Sequence, residues 1–224
     1  MSDHEHTHGA PAPPVTGASG TPTWRLLVTL TFGGALAGSL IAYVYQATLP
    51  AIQRYAGLKI EGAVREVLGA PTRMDTLFLV GDKLSRTPPA GADIRALTKA
   101  FVGFNASGAR IGVAVEAGEP GFADEVRLMV GFDPATSALT GYAMLGQKET
   151  PGLGDKIEKD TVFVARFRGK VAPIKGTKNS TTDASTVQTI TGATISSRAV
   201  IQIINHAVAL WQPRLAALEK EGGK

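Results

Sequence analysis

The chain has 224 residues with 23 basic and 19 acidic side chains, a formal charge of +4 and no cysteine. The missing cysteine excludes disulfides, thiolate nucleophiles, cysteine-ligated zinc and ordinary iron–sulfur clusters, so any redox chemistry needs another cofactor. The positive surplus is mild and scattered (Arg54, Lys59, Arg110, Arg127, Arg166, Arg168) without the aromatic interleaving that stacks bases, which argues against nucleic acid as a partner.

Residues 1–23 are rich in Pro, Gly, Ser, Thr and Ala and nearly free of large apolar side chains. Such a segment buries too little surface to offset its ordering entropy, and a disordered polar tail is predicted. His4, His6 and His8 alternate within it. Transient metal binding and a plain solvated tail both accommodate that pattern, and the tail is the simpler reading.

From Leu26 to Ala47 runs a stretch of 22 uncharged residues, long enough as a helix to cross a hydrocarbon layer of roughly 30 Å. A transmembrane helix is expected over residues 24–48, with Trp24, Tyr43 and Tyr45 near its ends and Arg25 free to snorkel. A cleaved signal peptide competes. Its apolar stretch would be shorter and its start basic, and a small-x-small cleavage site should follow. Gly34 and Gly38 form a small-xxx-small face suited to close approach of a second helix, although glycine is common in membrane helices anyway. Basic residues near the span are Arg25 on one side and Arg54, Lys59 and Arg65 on the other, a count that does not by itself favour a cytoplasmic N-terminus.

Beyond Pro50, Ala51 to Leu68 carries apolar residues at helical spacing and ends before Gly69 and Pro71, which predicts an amphipathic helix. Strand-like runs follow at Thr76 to Val80, Ile111 to Glu116 and Val126 to Phe132. The last should pair with Leu139 to Leu145 across a bend at Asp133, Pro134, Thr136 and Ser137. Thr161 to Arg168 alternates, with Phe163, Ala165 and Phe167 opposite Arg166 and Arg168, and is predicted as a strand; Val187 to Ile190 is a shorter one. From Ser197 onward, Val200, Ile203, Ile204, Ala207 and Trp211 make one helical stripe to pack on the sheet. Strands and helices without regular βαβ alternation predict a single α+β domain over residues 49–224, with a mixed sheet and packed helices.

Two segments carry chemistry. Thr191, Gly192, Ala193, Thr194, Ile195, Ser196 and Ser197 stand between a short strand and the last helix. A helix N-terminus offers unpaired N–H groups and partial positive charge to an anion. Gly192 permits close approach, and Ser196 or Ser197 can cap the helix or donate to phosphate. Alone, the heptapeptide also reads as an ordinary strand, turn and capped helix. The earlier segment Glu149, Thr150, Pro151, Gly152, Leu153, Gly154, Asp155 makes a tight loop that can expose amides and one apolar side chain to a flat ring. Asp155, Glu158 and Asp160 are expected to be surface carboxylates and not general acids.

Together ETPGLGDKI and TGATISS, behind one N-terminal membrane helix, resemble the FMN-binding domain found in the G subunit of the Rnf electron-transport complex and in the C subunit of the sodium-translocating NADH:quinone oxidoreductase. The wording TGATISSRAV is closer to the Rnf branch. The resemblance implies FMN joined by a phosphoester to Thr194, with Thr191, Gly192, Ala193, Ser196 and Ser197 around the phosphate and Glu149, Thr150, Gly152 and Leu153 near the isoalloxazine. It implies a redox component of a translocating complex, not a stand-alone enzyme. Its partners would be the other membrane proteins of the complex and a flavin transferase. Its place would be the bacterial cytoplasmic membrane, single-pass, with the soluble domain on the extracytoplasmic side. The alternatives are a membrane-anchored FMN module or sensor outside such a complex, and the C subunit of the quinone oxidoreductase. The family is usually acidic six positions before the linked threonine, where this chain has Gln188, which keeps hydrogen-bonding capacity and loses the charge.

Overall fold

The structure is a computed structural model that describes residues 22–94 and 97–222. His4, His6, His8 and the expected tail through residue 21 lie outside the described residues. The chain divides into one unit up to Gln53 and a second from Arg54.

The first element, α1 (Thr23–Val67), is one continuous helix. Up to Gln53 its apolar side chains are uncovered, Leu30 at 77% and Ile41 at 70% exposed, and none of its apolar window is buried by the described chain. A stretch of this length and composition, unburied by its own protein, belongs in lipid. The two helical segments read from the sequence on either side of Pro50 are therefore joined. Pro50 has no N–H to give the preceding turn, so the join forgoes one helical hydrogen bond while strongly helical flanks carry the helix through.

In the second unit, β1 (Arg73–Val80), β2 (Lys83–Ser85), β3 (Lys99–Phe104), β4 (Arg110–Pro120), β5 (Glu125–Phe132) and β6 (Leu139–Gly146) form one sheet in the order β2-β1-β3-β4-β5-β6. Every pairing in it is antiparallel. The predicted hairpin is present, with Phe132 opposite Leu139. Parallel pairing is confined to a separate two-stranded ribbon, β7 (Lys175–Thr177) with β8 (Thr186–Gln188).

Alternation along the strands sends side chains to two faces. Val113, Val115, Leu128 and Val130 face α4 (Thr194–Gly222), whose Val200, Ile203, Ile204, Ala207 and Trp211 are all buried there, as the stripe predicts. Ala114, Met129 and Ala143 face the other way, onto Ala63, Val64, Val67 and Leu68 at the end of α1. The domain is thus helix, sheet, helix in three layers, an α+β fold.

One expected strand is a helix. Thr161 to Arg168 contains α3 (Thr161–Ala165), which follows the short α2 (Lys156–Lys159). The Asp160 carboxylate accepts hydrogen bonds from the N–H groups of Val162 and Phe163 and so caps the turn. Phe163 and Phe167, four apart, are both fully buried and meet edge-on at 5.2 Å, while Ala165 between them is exposed. Period 3.6 satisfies the two phenylalanines as well as period 2 does, and the cap decides between them.

Candidate functional site

β8 delivers the chain to the start of α4. Thr189 gives both its N–H and its hydroxyl to the Thr177 carbonyl, at 2.8 and 3.1 Å, which fixes the end of the ribbon. Gly192 then turns with φ +83°, a left-handed conformation that a side chain would strain. The helical ladder begins where Ser197 N donates to Ala193 O at 2.9 Å. The N–H groups of Thr194, Ile195 and Ser196 lie in the first turn, before that ladder, where a helix presents its donors and its positive end.

The two motifs meet. Glu149, Thr150, Leu153 and Gly154 of the first and Gly192, Ala193, Thr194, Ile195 and Ser196 of the second line one cavity of about 340 Å³, with Phe122 from the turn after β4. Gly152, at φ +78°, turns the loop so that Leu153 stands 48% exposed beside the cavity. Asp155 holds that turn. Its carboxylate accepts from Gly152 N at 2.7 Å and from Lys159 Nζ at 2.7 Å, and the Lys159 hydrogen bond, ahead of the Gly152 N–H, keeps it below the usual carboxylate range. Burial opposes this lowering and is outweighed.

The hydroxyls of the second motif have different fates. Ser197 is fully buried; its hydroxyl accepts from Ile190 N and donates to Ala193 O. Ser196, 2% exposed, donates to Glu149 Oε2 at 2.5 Å. Thr191 is exposed and does not line the cavity. Thr194 lines it, is half-buried, and has no hydrogen-bond partner for its hydroxyl among the described residues.

The FMN-binding domain family matches residues 121–209, the stretch that holds both motifs and Phe122. The G subunit of the ion-translocating oxidoreductase complex from Methanosarcina acetivorans is 27% identical over 185 residues, which cover 82% of this chain and 92% of that one. The protein of the same name from Cronobacter sakazakii is 30% identical over 204 residues, covering 87% of this chain and 94% of the relative. The chain belongs to the family of G subunits of ion-translocating oxidoreductase complexes. Three further relatives of that name align over 50 to 55% of their own length. In fold, the domain resembles the crystal structure of Shewanella oneidensis NqrC, with a TM-score of 0.54 over 68% of this chain and 88% of that one at 17% identity.

Within this family frame, the cavity suits FMN on its own chemistry. Its volume is that of a small-molecule site, its walls offer exposed apolar side chains (Phe122, Leu153, Ile195) to a flat ring, and the first turn of α4 offers N–H groups to a phosphate. Sequence reasoning missed Phe122, Gly154 and Ile195 as lining residues. Phe122 stands 27 positions before Glu149, and an aromatic in a turn after a strand carries no local signal. Gln188, at the position usually acidic, donates its side-chain amide to Lys178 O at 3.2 Å, and its backbone carbonyl accepts from Arg166 at 3.2 Å.

Proposed function

We propose that this chain is the electron-transfer subunit of an Rnf-type ion-translocating complex, bearing FMN through a phosphoester to Thr194. A flavin transferase forms that bond. The chain is anchored in a bacterial cytoplasmic membrane by residues 24–48, and the domain from residue 49 onward, which holds the flavin, is extracytoplasmic. The observation that carries the assignment is the hydroxyl inventory of TGATISS: Thr194 alone in that motif combines a place on the cavity with a hydroxyl that has no hydrogen-bond partner among the described residues. Bound FMN supplies reversible uptake and release of electrons. The first turn of α4 balances the remaining phosphate charge, while Leu153 and Phe122 shield the ring from water. No acid, base or nucleophile acting on a diffusible substrate is required of this chain.

The test is in-gel flavin fluorescence after denaturation, with peptide mass spectrometry, in cells containing a flavin transferase. Thr194→Ala should abolish covalent flavin while the fold persists, and Thr191→Ala should keep it. Fluorescence persisting in Thr194→Ala, or a wild-type motif peptide without the FMN mass, would defeat the proposal. Reduction of the flavin by purified partner proteins of the complex tests the electron-transfer half.

A further inference from the structure

Glu149 is one of the few acidic side chains buried in this domain, 4% exposed on the wall of the cavity, and both its oxygens are engaged inside the protein. Its Oε1 accepts from the N–H groups of Phe122 at 2.8 Å and Ala123 at 3.1 Å. Its Oε2 accepts from the Ser196 hydroxyl, 47 positions away, at 2.5 Å. A carboxylate has about four acceptor sites, and three are spent inside the protein. The backbone is shaped around it: a Cβ on Gly154 would lie 2.7 Å from Oε2 and 2.8 Å from the Glu149 Cβ, and one on Gly121 would collide with Oε1. Glu149 lines the cavity, as a place near the flavin requires, and these contacts give it a structural role as well.

We propose that Glu149 is a positioning residue, a latch whose carboxylate closes three separate segments around the flavin cavity. These segments are the turn carrying Phe122, the loop carrying Leu153 and the first turn of α4 carrying Thr194. The inference rests on the flavin reading above. Phe122 is 65% exposed and so is not held by packing of its own side chain. The β4–β5 ladder closes the base of this turn, and within it lie the Gly121 N to Asp124 O and Glu125 N to Asp124 Oδ1 hydrogen bonds and the exposed pair of Lys148 with Asp124; none of these holds the Phe122 and Ala123 N–H groups, and water-screened pairs contribute little. Hydrogen bonds to a buried carboxylate are the strong ones. Leaving the Phe122 and Ala123 N–H groups without an acceptor should therefore open the turn and expose the ring.

The experiment uses the full-length flavin-bearing protein in detergent and measures iodide quenching of flavin fluorescence and the flavin's visible circular dichroism, at matched covalent flavin. Glu149→Leu removes all three acceptor contacts and should raise the quenching constant about twofold or more, as expected for local opening, with flavin still attached. Glu149→Gln keeps an oxygen for the two N–H groups and should restore most of the protection. If Glu149→Leu does not fold, Glu149→Asp, which keeps the charge and shortens the reach, should show the same exposure. Wild-type quenching in whichever of Glu149→Leu and Glu149→Asp folds, or a Glu149→Gln protein as exposed as that variant, would overturn the latch. A wild-type protein without flavin overturns the reading beneath it and this inference with it, so the two failures are told apart.

Discussion

Leu153 owes its place at the cavity to Gly152 and Asp155. The positive φ turns the loop, and the carboxylate accepts the Gly152 N–H that the turn exposes. Leu153→Ala should shift the flavin's absorbance and reduction potential while leaving attachment intact; unchanged spectra and potential would remove this loop from the site. Asp155 makes the same loop sensitive to acid. Because its folded value is depressed, its contribution is present above the ordinary carboxylate range and is lost as pH falls through the folded value, below about pH 4. Flavin quenching by iodide should rise in that window, and Asp155→Asn should be exposed at neutral pH with a weaker acid dependence. A variant that titrates like wild type would show that another carboxylate controls the loop. Gln188→Asp tests the family departure. A carboxylate there forgoes the amide's hydrogen bond to Lys178 O but restores the charge usual at this position, so flavin attachment should be at least as complete as in wild type, read by in-gel fluorescence per mole of protein.

At the scale of elements, the segment from Asp160 to Arg168 shows how a short apolar pattern is decided by its neighbours. Phe163 and Phe167 pack fully buried, and Phe167 meets Tyr142 edge-on at 5.1 Å. Tyr142 in turn donates its hydroxyl to the Ile157 carbonyl at 2.5 Å, and burial pushes its phenol well above the usual range. Phe163→Ala should therefore cost about 3–5 kcal/mol, as deletion of a buried ring does. Asp160→Ala should cost about 0.5–2 kcal/mol, the range for losing an N-cap, since it frees two N–H groups. Urea melts of the soluble domain measure both. A cap variant as costly as the ring deletion would mean that Asp160 does more than begin α3. Ribbon strand β8 and helix α4 were readable because Val187 and the α4 stripe each bury in the period their element demands. β3 was not, although its Ala100 and Val102 are buried, because Gly103 interrupts the alternation of Lys99–Phe104.

At the scale of the whole molecule, the uncovered apolar stretch of α1 and the family of membrane-complex proteins agree on a membrane-anchored protein. The full chain should stay with membranes through a carbonate wash, and a truncation beginning at Arg54 should be soluble and folded, because the core contacts lie beyond that residue. Release of the full chain by carbonate would contradict the anchor. The sequence by itself determined the span, the β5–β6 hairpin, the buried stripe of α4 and the two glycine-bearing motifs. Each of these rests on a local period or on a backbone conformation that few residues can adopt. Only the tertiary structure decided that Thr161–Ala165 is helical, that Phe122 shares the cavity, and that Ser196 and Ser197 spend their hydroxyls inside the protein while the Thr194 hydroxyl has no partner among the described residues. It also brought Glu149, which lines the cavity, into a hydrogen bond with Ser196, 47 positions away. These are matters of which partner each polar atom finds on burial, and a partner brought up by folding from a distant segment leaves no periodic mark in the chain.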